Sequence, residues 1–178
     1  MKKRIAWLLT VLLLLGACAP ALADTYAGDY VYADTPLDSV SDAGLHNIEL
    51  AVDAINGLAL EPGELFSFND TVGPRTRAEG YRGALNGRGV MVTGGGVAQV
   101  ASTVYLAVKD LDCIEIIDKS TYGDRFVDGY VEDADNAIVT DYKAGTDFSF
   151  YYTGDGELRI DLSIEGDELC CRVYETVY

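Results

Sequence analysis

Histidine occurs once in this 178-residue chain, as His46, and no cysteine lies at ligand spacing from it. A zinc site of the Cys/His type is therefore excluded, and the sequence implies no metal and no cofactor. Basic residues are scarce as well: 13 Lys and Arg stand against 29 Asp and Glu, a formal net charge of −16. That balance excludes nucleic acid and an anionic membrane surface as partners. The acidic residues are spread along the chain and form no tail, which reads as solubility. Long apolar runs are missing after the first 15 residues. No later stretch approaches the ~20 apolar residues that a membrane helix needs.

What the first residues do contain is an export leader. Met1-Lys2-Lys3-Arg4 is a positive start, and residues 5–15 are apolar but too short for an ordinary membrane span. Two exits fit. Leu15-Gly16-Ala17-Cys18 resembles a lipobox, giving a lipoprotein signal over 1–17 and a lipid on Cys18. Ala21-Leu22-Ala23 is a small-x-small site, giving a signal peptide over 1–23 and a soluble chain from Asp24. Either exit places the protein outside the cytoplasm, with membrane contact only through a lipid on Cys18. Lys2, Lys3 and Arg4 leave with the leader, so 10 basic and 29 acidic residues remain, a formal −19. Three cysteines also remain: Cys113, Cys170 and Cys171. In an oxidising compartment Cys113 pairs with one of the other two, or all three are buried strand thiols, and the spacing leaves both open.

The rest suits one domain. Residues 24–42 have weak periodicity and read as a tether or a loosely docked edge. Ser41 or Asp42 caps a helix over 43–56, whose Leu45, Ile48, Ala51, Val52 and Ile55 fall on one face. A turn at 60–64 leads to a short strand at 65–68. Residues 69–96 read as a long loop, rich in Gly, Arg, Thr and Asn, and loops of that length inside a domain are usually functional. It holds Arg75, Arg77, Arg82 and Arg88, a cationic cluster in an acidic chain. These arginines either pair with nearby acids or recognise a carboxylate or phosphate. A second helix, over 97–109, is apolar on most faces and therefore central. Strands are expected at 113–117, 126–131, 136–142, 147–153, 157–164 and 168–176, with glycine turns at 145, 154–156 and 166. Helices first and strands afterwards predict an α+β fold: two main helices, then an antiparallel sheet ending in a β-meander.

Three consecutive glycines, Gly94-Gly95-Gly96, open the central helix. Such a junction leaves the first helical N–H groups free to favour an anion, a carbonyl oxygen or a thiolate. The position suited to a nucleophilic cysteine holds Ala98.

The ordered set Asn47-Ile48, Ile55-Asn56-Gly57, Pro62-Gly63-Glu64, Phe66-Ser67-Phe68-Asn69, Gly73-Pro74-Arg75-Thr76, Gly80-Tyr81 and Gly94-Gly95-Gly96-Val97-x-Gln99-Val100-x-Ser102-Thr103-x-Tyr105 closely resembles the VanW domain of bacterial cell-surface proteins. The resemblance covers roughly 44–140, and 43–178 is taken as the VanW-like domain. In the family pattern a Cys follows the triplet, with a His and an Asp on later segments. Reading these as a Cys-His-Asp site rests on what a thiolate at a helix N-terminus can do. Here the Cys position is Ala98, the His position is Asp124 or Tyr122 depending on the direction of counting, and the Asp position is Asn136. The resemblance thus implies a degenerate, pseudoenzyme-like site with no catalytic residue. What persists is Arg75, Thr76, Tyr81, Gly94, Gly95, Gly96, Gln99, Ser102 and Thr103, expected either to bind a ligand or only to build the turn. The implied function is non-catalytic binding of a cell-wall component such as peptidoglycan, or of an envelope protein. The alternatives are a cysteine-independent enzyme on peptide or amide bonds and a purely structural surface protein.

Overall fold

The structure, a computed structural model, describes residues 30–126 and 131–176. In chain order it contains β1 (Val31–Pro36), α1 (Asp42–Ile55), β2 (Leu58–Leu60), β3 (Leu65–Ser67), α2 (Phe68–Val72), β4 (Gly83–Leu85), β5 (Met91–Thr93), α3 (Val97–Val108), β6 (Ile114–Lys119), β7 (Phe148–Tyr152), β8 (Glu157–Glu165) and β9 (Glu168–Thr176). The fold is α+β with antiparallel sheets and three strands at its C-terminal end.

Helix α1 forms where its apolar spacing and cap coincide. The Ser41 hydroxyl accepts from the Gly44 amide, and Ile48, Ala51, Val52 and Ile55 are buried on one stripe. Each fully buried isoleucine contributes roughly 1.5–3 kcal/mol by leaving water. Helix α3 is buried through most of its length, from Val97 to Val104 without interruption. The two helices pack on each other and on a four-stranded sheet of order β1-β9-β8-β2. On β8 the alternation of Leu158, Ile160 and Leu162 supplies the inward face, and Leu169, Cys171 and Val173 do so on β9. A second sheet, β3-β7-β6, adds an aromatic layer in which Phe66 stacks on Phe150 at 4.9 Å and Tyr105 meets Phe148 edge-on at 5.7 Å.

Several expectations change. Within 24–42, residues 31–36 are an edge strand paired with β9 over Val31–Pro36, and Thr35 and Leu37 are buried. The expected loop 69–96 contains α2 and a two-stranded hairpin, β4-β5, whose three-residue strands are too short to show a period. The strand expected at 136–142 is absent: Ala134–Asn136 forms one turn of 3-10 helix, followed by isolated bridges at Thr121–Ile138 and Asp141–Thr146. Aspartates divert the backbone here. Asp133 accepts from the Asp135 amide, and Asp141 Oδ1 accepts from the Lys143 and Ala144 amides at 2.9 and 3.0 Å. The strand expected at 126–131 falls mostly on 127–130, outside the described residues, while Phe126 lies in a bend. Strand β7 joins β3 and β6 rather than β8, because its aromatic face completes the second core layer. Cys113, Cys170 and Cys171 are free thiols, and burial pushes the Cys113 and Cys171 thiols above their ordinary values.

Candidate functional site

The glycine triplet connects β5 to α3, and close packing explains its composition. Gly94 has φ 79° and Gly96, the N-cap of α3, has φ 96°. A Cβ on Gly94 would stand 2.6 Å from Arg75 Cβ, and one on Gly95 would overlap the Ala84 carbonyl. Asn47 of α1, wholly buried, secures this arrangement. Its amide donates to the Gly95 carbonyl at 2.9 Å and to the Arg82 carbonyl at 3.0 Å, and its oxygen accepts from the Arg82 amide at 2.8 Å.

No side chain caps α3. The Val97 and Gln99 amides bond back to Gly94 and Gly96, whereas the Ala98 amide makes no such bond among the described residues. Beside this terminus lies a groove of about 430 Å³, walled by Pro74, Arg75 and Thr76 on one side and by Val92, Thr93, Gly94, Gly96, Val97 and Ala98 below. Asn86, Arg88, Tyr122 and residues 139–143 close it. Its charged side chains are Arg75, Arg88, Lys143 and Asp141, so the groove is cationic in a strongly acidic protein.

Arg75 is held rather than neutralised. Its guanidinium donates to Asn69 Oδ1 at 2.6 Å and to Thr140 Oγ1 at 3.3 Å, and lies 5.3 Å above the Phe68 ring. Among the described residues the ion pairs are Arg159–Glu157 and Arg172–Glu165, so Arg75 has no carboxylate partner there. Burial pulls its pKa below the ordinary arginine value, partly offset by Tyr81, Asp147 and Asp141. Asp147 is occupied elsewhere, accepting from the Ser67 hydroxyl and from the Asn69 and Phe148 amides. Arg88 rests 5.5 Å from the centre of the Tyr122 ring and is exposed. Arg77 and Arg82, the other members of the expected cluster, are exposed away from the groove.

The residues expected at the site divide into two groups. Arg75, Thr76, Gly94 and Gly96 line the groove, and Gly95 and Tyr81 are buried behind it. Gln99, Ser102 and Thr103 instead face the interior. Gln99 donates to Thr35 Oγ1 and to the Pro36 carbonyl, tying the edge strand to α3. Ser102 donates to the Ala98 carbonyl and accepts from the Ile138 amide. Thr103 donates to the Gln99 carbonyl and contacts Thr35 Oγ1 at 2.8 Å. Asn69, Arg88, Thr140 and Lys143 complete the site; neither Thr140 nor Lys143 carries a local sequence signal, being far from Arg75 in the chain.

Of the positions expected to be degenerate, Ala98 and Tyr122 belong to one small apolar cluster with Val131 and Ala137. Tyr122 also lines the groove with Ala98, whereas Asp124 is exposed and is not among the lining residues. Burial raises the Tyr122 phenol, and the Gly87 backbone and Arg88 oppose that shift. Asn136 is turned elsewhere, its oxygen 3.4 Å from Lys109 Nζ at the opposite end of α3. His46 lies on α1 and donates to the Gly80 carbonyl at 3.1 Å.

With this geometry in view, a family model described as "VanW like protein" matches residues 44–174. The chain belongs to the VanW family. It is similar to a protein of Bacillus subtilis (strain 168), "Uncharacterized protein YoaR", with 37% identity over 126 residues. That match covers 69% of this chain and 39% of the relative, so the chain spans well under half of the relative's length. No solved structure gives a significant match. The groove, the triplet and Arg75 all fall inside the VanW region, and so do Ala98 and Tyr122.

Proposed function

We propose that this VanW domain is an exported, non-catalytic binding domain whose groove holds a carboxylate- or phosphate-bearing component of the cell envelope, either peptidoglycan or an envelope protein. The observation that carries the reading is Arg75, anchored by Asn69, Thr140 and Phe68 yet without a carboxylate partner among the described residues, in a groove shared with Arg88 and Lys143. A planar fork held in place this way loses little conformational entropy on meeting an anion. The uncapped first turn of α3 adds a favourable field from the same side. Catalysis lacks its groups. Ala98 offers a methyl where a thiolate would stand, the Ser102 and Thr103 hydroxyls are buried and bonded, and His46 lies on another helix.

The test is co-sedimentation of the purified protein with peptidoglycan sacculi, comparing wild type with Arg88→Ala and Lys143→Ala. Both substitutions lie at exposed positions, so each variant is expected to stay folded. Each is expected to weaken binding roughly 3- to 5-fold, the equivalent of one partly screened charge contact. The effect should grow at low salt. Wild-type protein that remains in the supernatant at every salt concentration would exclude peptidoglycan as the occupant and leave an envelope protein or a purely structural surface role.

A further inference from the structure

The hairpin β4-β5 has an open side. The Asn86 amide bonds to the Val90 carbonyl and the Gly94 amide to the Arg82 carbonyl, with Ala84 opposite Val92 between them. Alternation along an antiparallel pair then places residues 82, 84 and 86 in hydrogen-bonded pairs with 94, 92 and 90. The intervening residues, Met91 and Thr93, direct their amides and carbonyls away from β4. Neither makes another backbone hydrogen bond among the described residues, and β5 has no second neighbour in its sheet. Met91 is 65% exposed and Val92 37% exposed. An edge with unused main-chain groups and apolar side chains is a template for a further strand.

This edge is also a rim of the cationic groove, since Val92 and Thr93 line it alongside Arg75, Arg88 and Lys143. We infer that the occupant is an extended acidic peptide segment, which adds to β5 as a third strand and places its carboxylates against those three cations. Main-chain bonds to Met91 and Thr93 supply register, and the charges select acidic over neutral sequences. The one acidic side chain of the groove, Asp141, has its Oδ1 engaged by the Lys143 and Ala144 amides. This inference rests on the proposed groove-binding function and names the ligand class for it.

The probe is an acetylated, amidated heptapeptide of alternating valine and glutamate, titrated into the full protein by isothermal calorimetry and amide NMR. Binding is expected with the largest amide shifts at Met91 and Thr93. Replacing the glutamates by glutamine should weaken it about tenfold, as should N-methylation of the alternate amides that face β5; methylating the other set should leave it unchanged. Thr93→Pro removes a donor the hairpin does not use and is tolerable on an edge, so it should lose about tenfold with its melting temperature retained. Equal tolerance of both methylation patterns would overturn strand addition while leaving the groove reading intact. So would failure of the peptide to bind while sacculi still bind in a manner sensitive to Arg88→Ala. If neither peptide nor sacculi bind, both readings fall together.

Discussion

Asn47 offers the sharpest test of how the site is built. Its side chain makes three hydrogen bonds from α1 to the hairpin and to the glycine turn. In Asn47→Ala the Gly95 carbonyl, which is fully enclosed, loses its partner, and so does the partly enclosed Arg82 amide. The Arg82 carbonyl keeps the Gly94 amide and is less affected. Orphaning a buried polar group costs ~1–3 kcal/mol, and the less enclosed amide falls at the low end, so the loss should be about 3 kcal/mol. For a domain of this size that lowers the melting temperature by roughly 6–12 °C. Asn47→Asp is the informative partner. Its oxygen still accepts from Arg82, but both donors are gone and a carboxylate faces two carbonyl oxygens. It should therefore be at least as destabilised as the alanine variant near neutral pH and recover in part on acidification, when the carboxyl can donate. Urea unfolding of the three proteins measures this. A loss below about 1 kcal/mol for Asn47→Ala would refute the claim that this side chain holds the triplet against the hairpin.

Further outcomes follow from the same geometry. Arg75→Ala should destabilise by about 1–2 kcal/mol through the lost Asn69, Thr140 and Phe68 contacts, with Arg75→Lys intermediate, read by thermal unfolding. Ala98→Cys should react with a thiol-directed reagent faster than native Cys113, because the helix terminus favours the thiolate while burial raises the Cys113 thiol; equal rates would show that this terminus does not favour an anion. Glu175 accepts from the Tyr152 hydroxyl and from the Gly156 and Asp155 amides, which hold its carboxyl below the ordinary 4.5. A folded pKa below the unfolded one stabilises above that value and fades as the pH drops beneath it, so stability should decline on acidification below about 4.5 and Glu175→Gln should flatten that part of the profile.

Much of the fold is legible from periodicity. The 3.6-residue stripe of α1, the predominantly apolar run of α3 and the strict alternation of β8 each specify an element without outside help. The irregular segment 134–142 shows the opposite case. Its apolar Ala137, Ile138 and Val139 look like a strand, yet carboxylates at 133 and 141 bond to nearby amides and turn the chain first. Which polar groups of α3 belong to the site was beyond sequence reasoning for a similar cause. Gln99, Ser102 and Thr103 have the chemistry of ligand-binding residues, but the partners that occupy them, Thr35, Pro36 and the Ile138 amide, come from distant positions.

The sequence by itself determined the VanW resemblance, the acidic balance and the absence of a thiol at Ala98, since each is a matter of residue identity and local order. It also placed three glycines directly before α3. Only the tertiary structure decided that Tyr122 rather than Asp124 shares a cluster and the groove with Ala98, and that Asn136 points to the far end of the helix. The same is true of the groove. Arg75, Arg88 and Lys143 converge because the segment after α2, the hairpin and residues 139–143 line one groove beside a helix terminus. Long-range packing sets that convergence, and no local pattern encodes it.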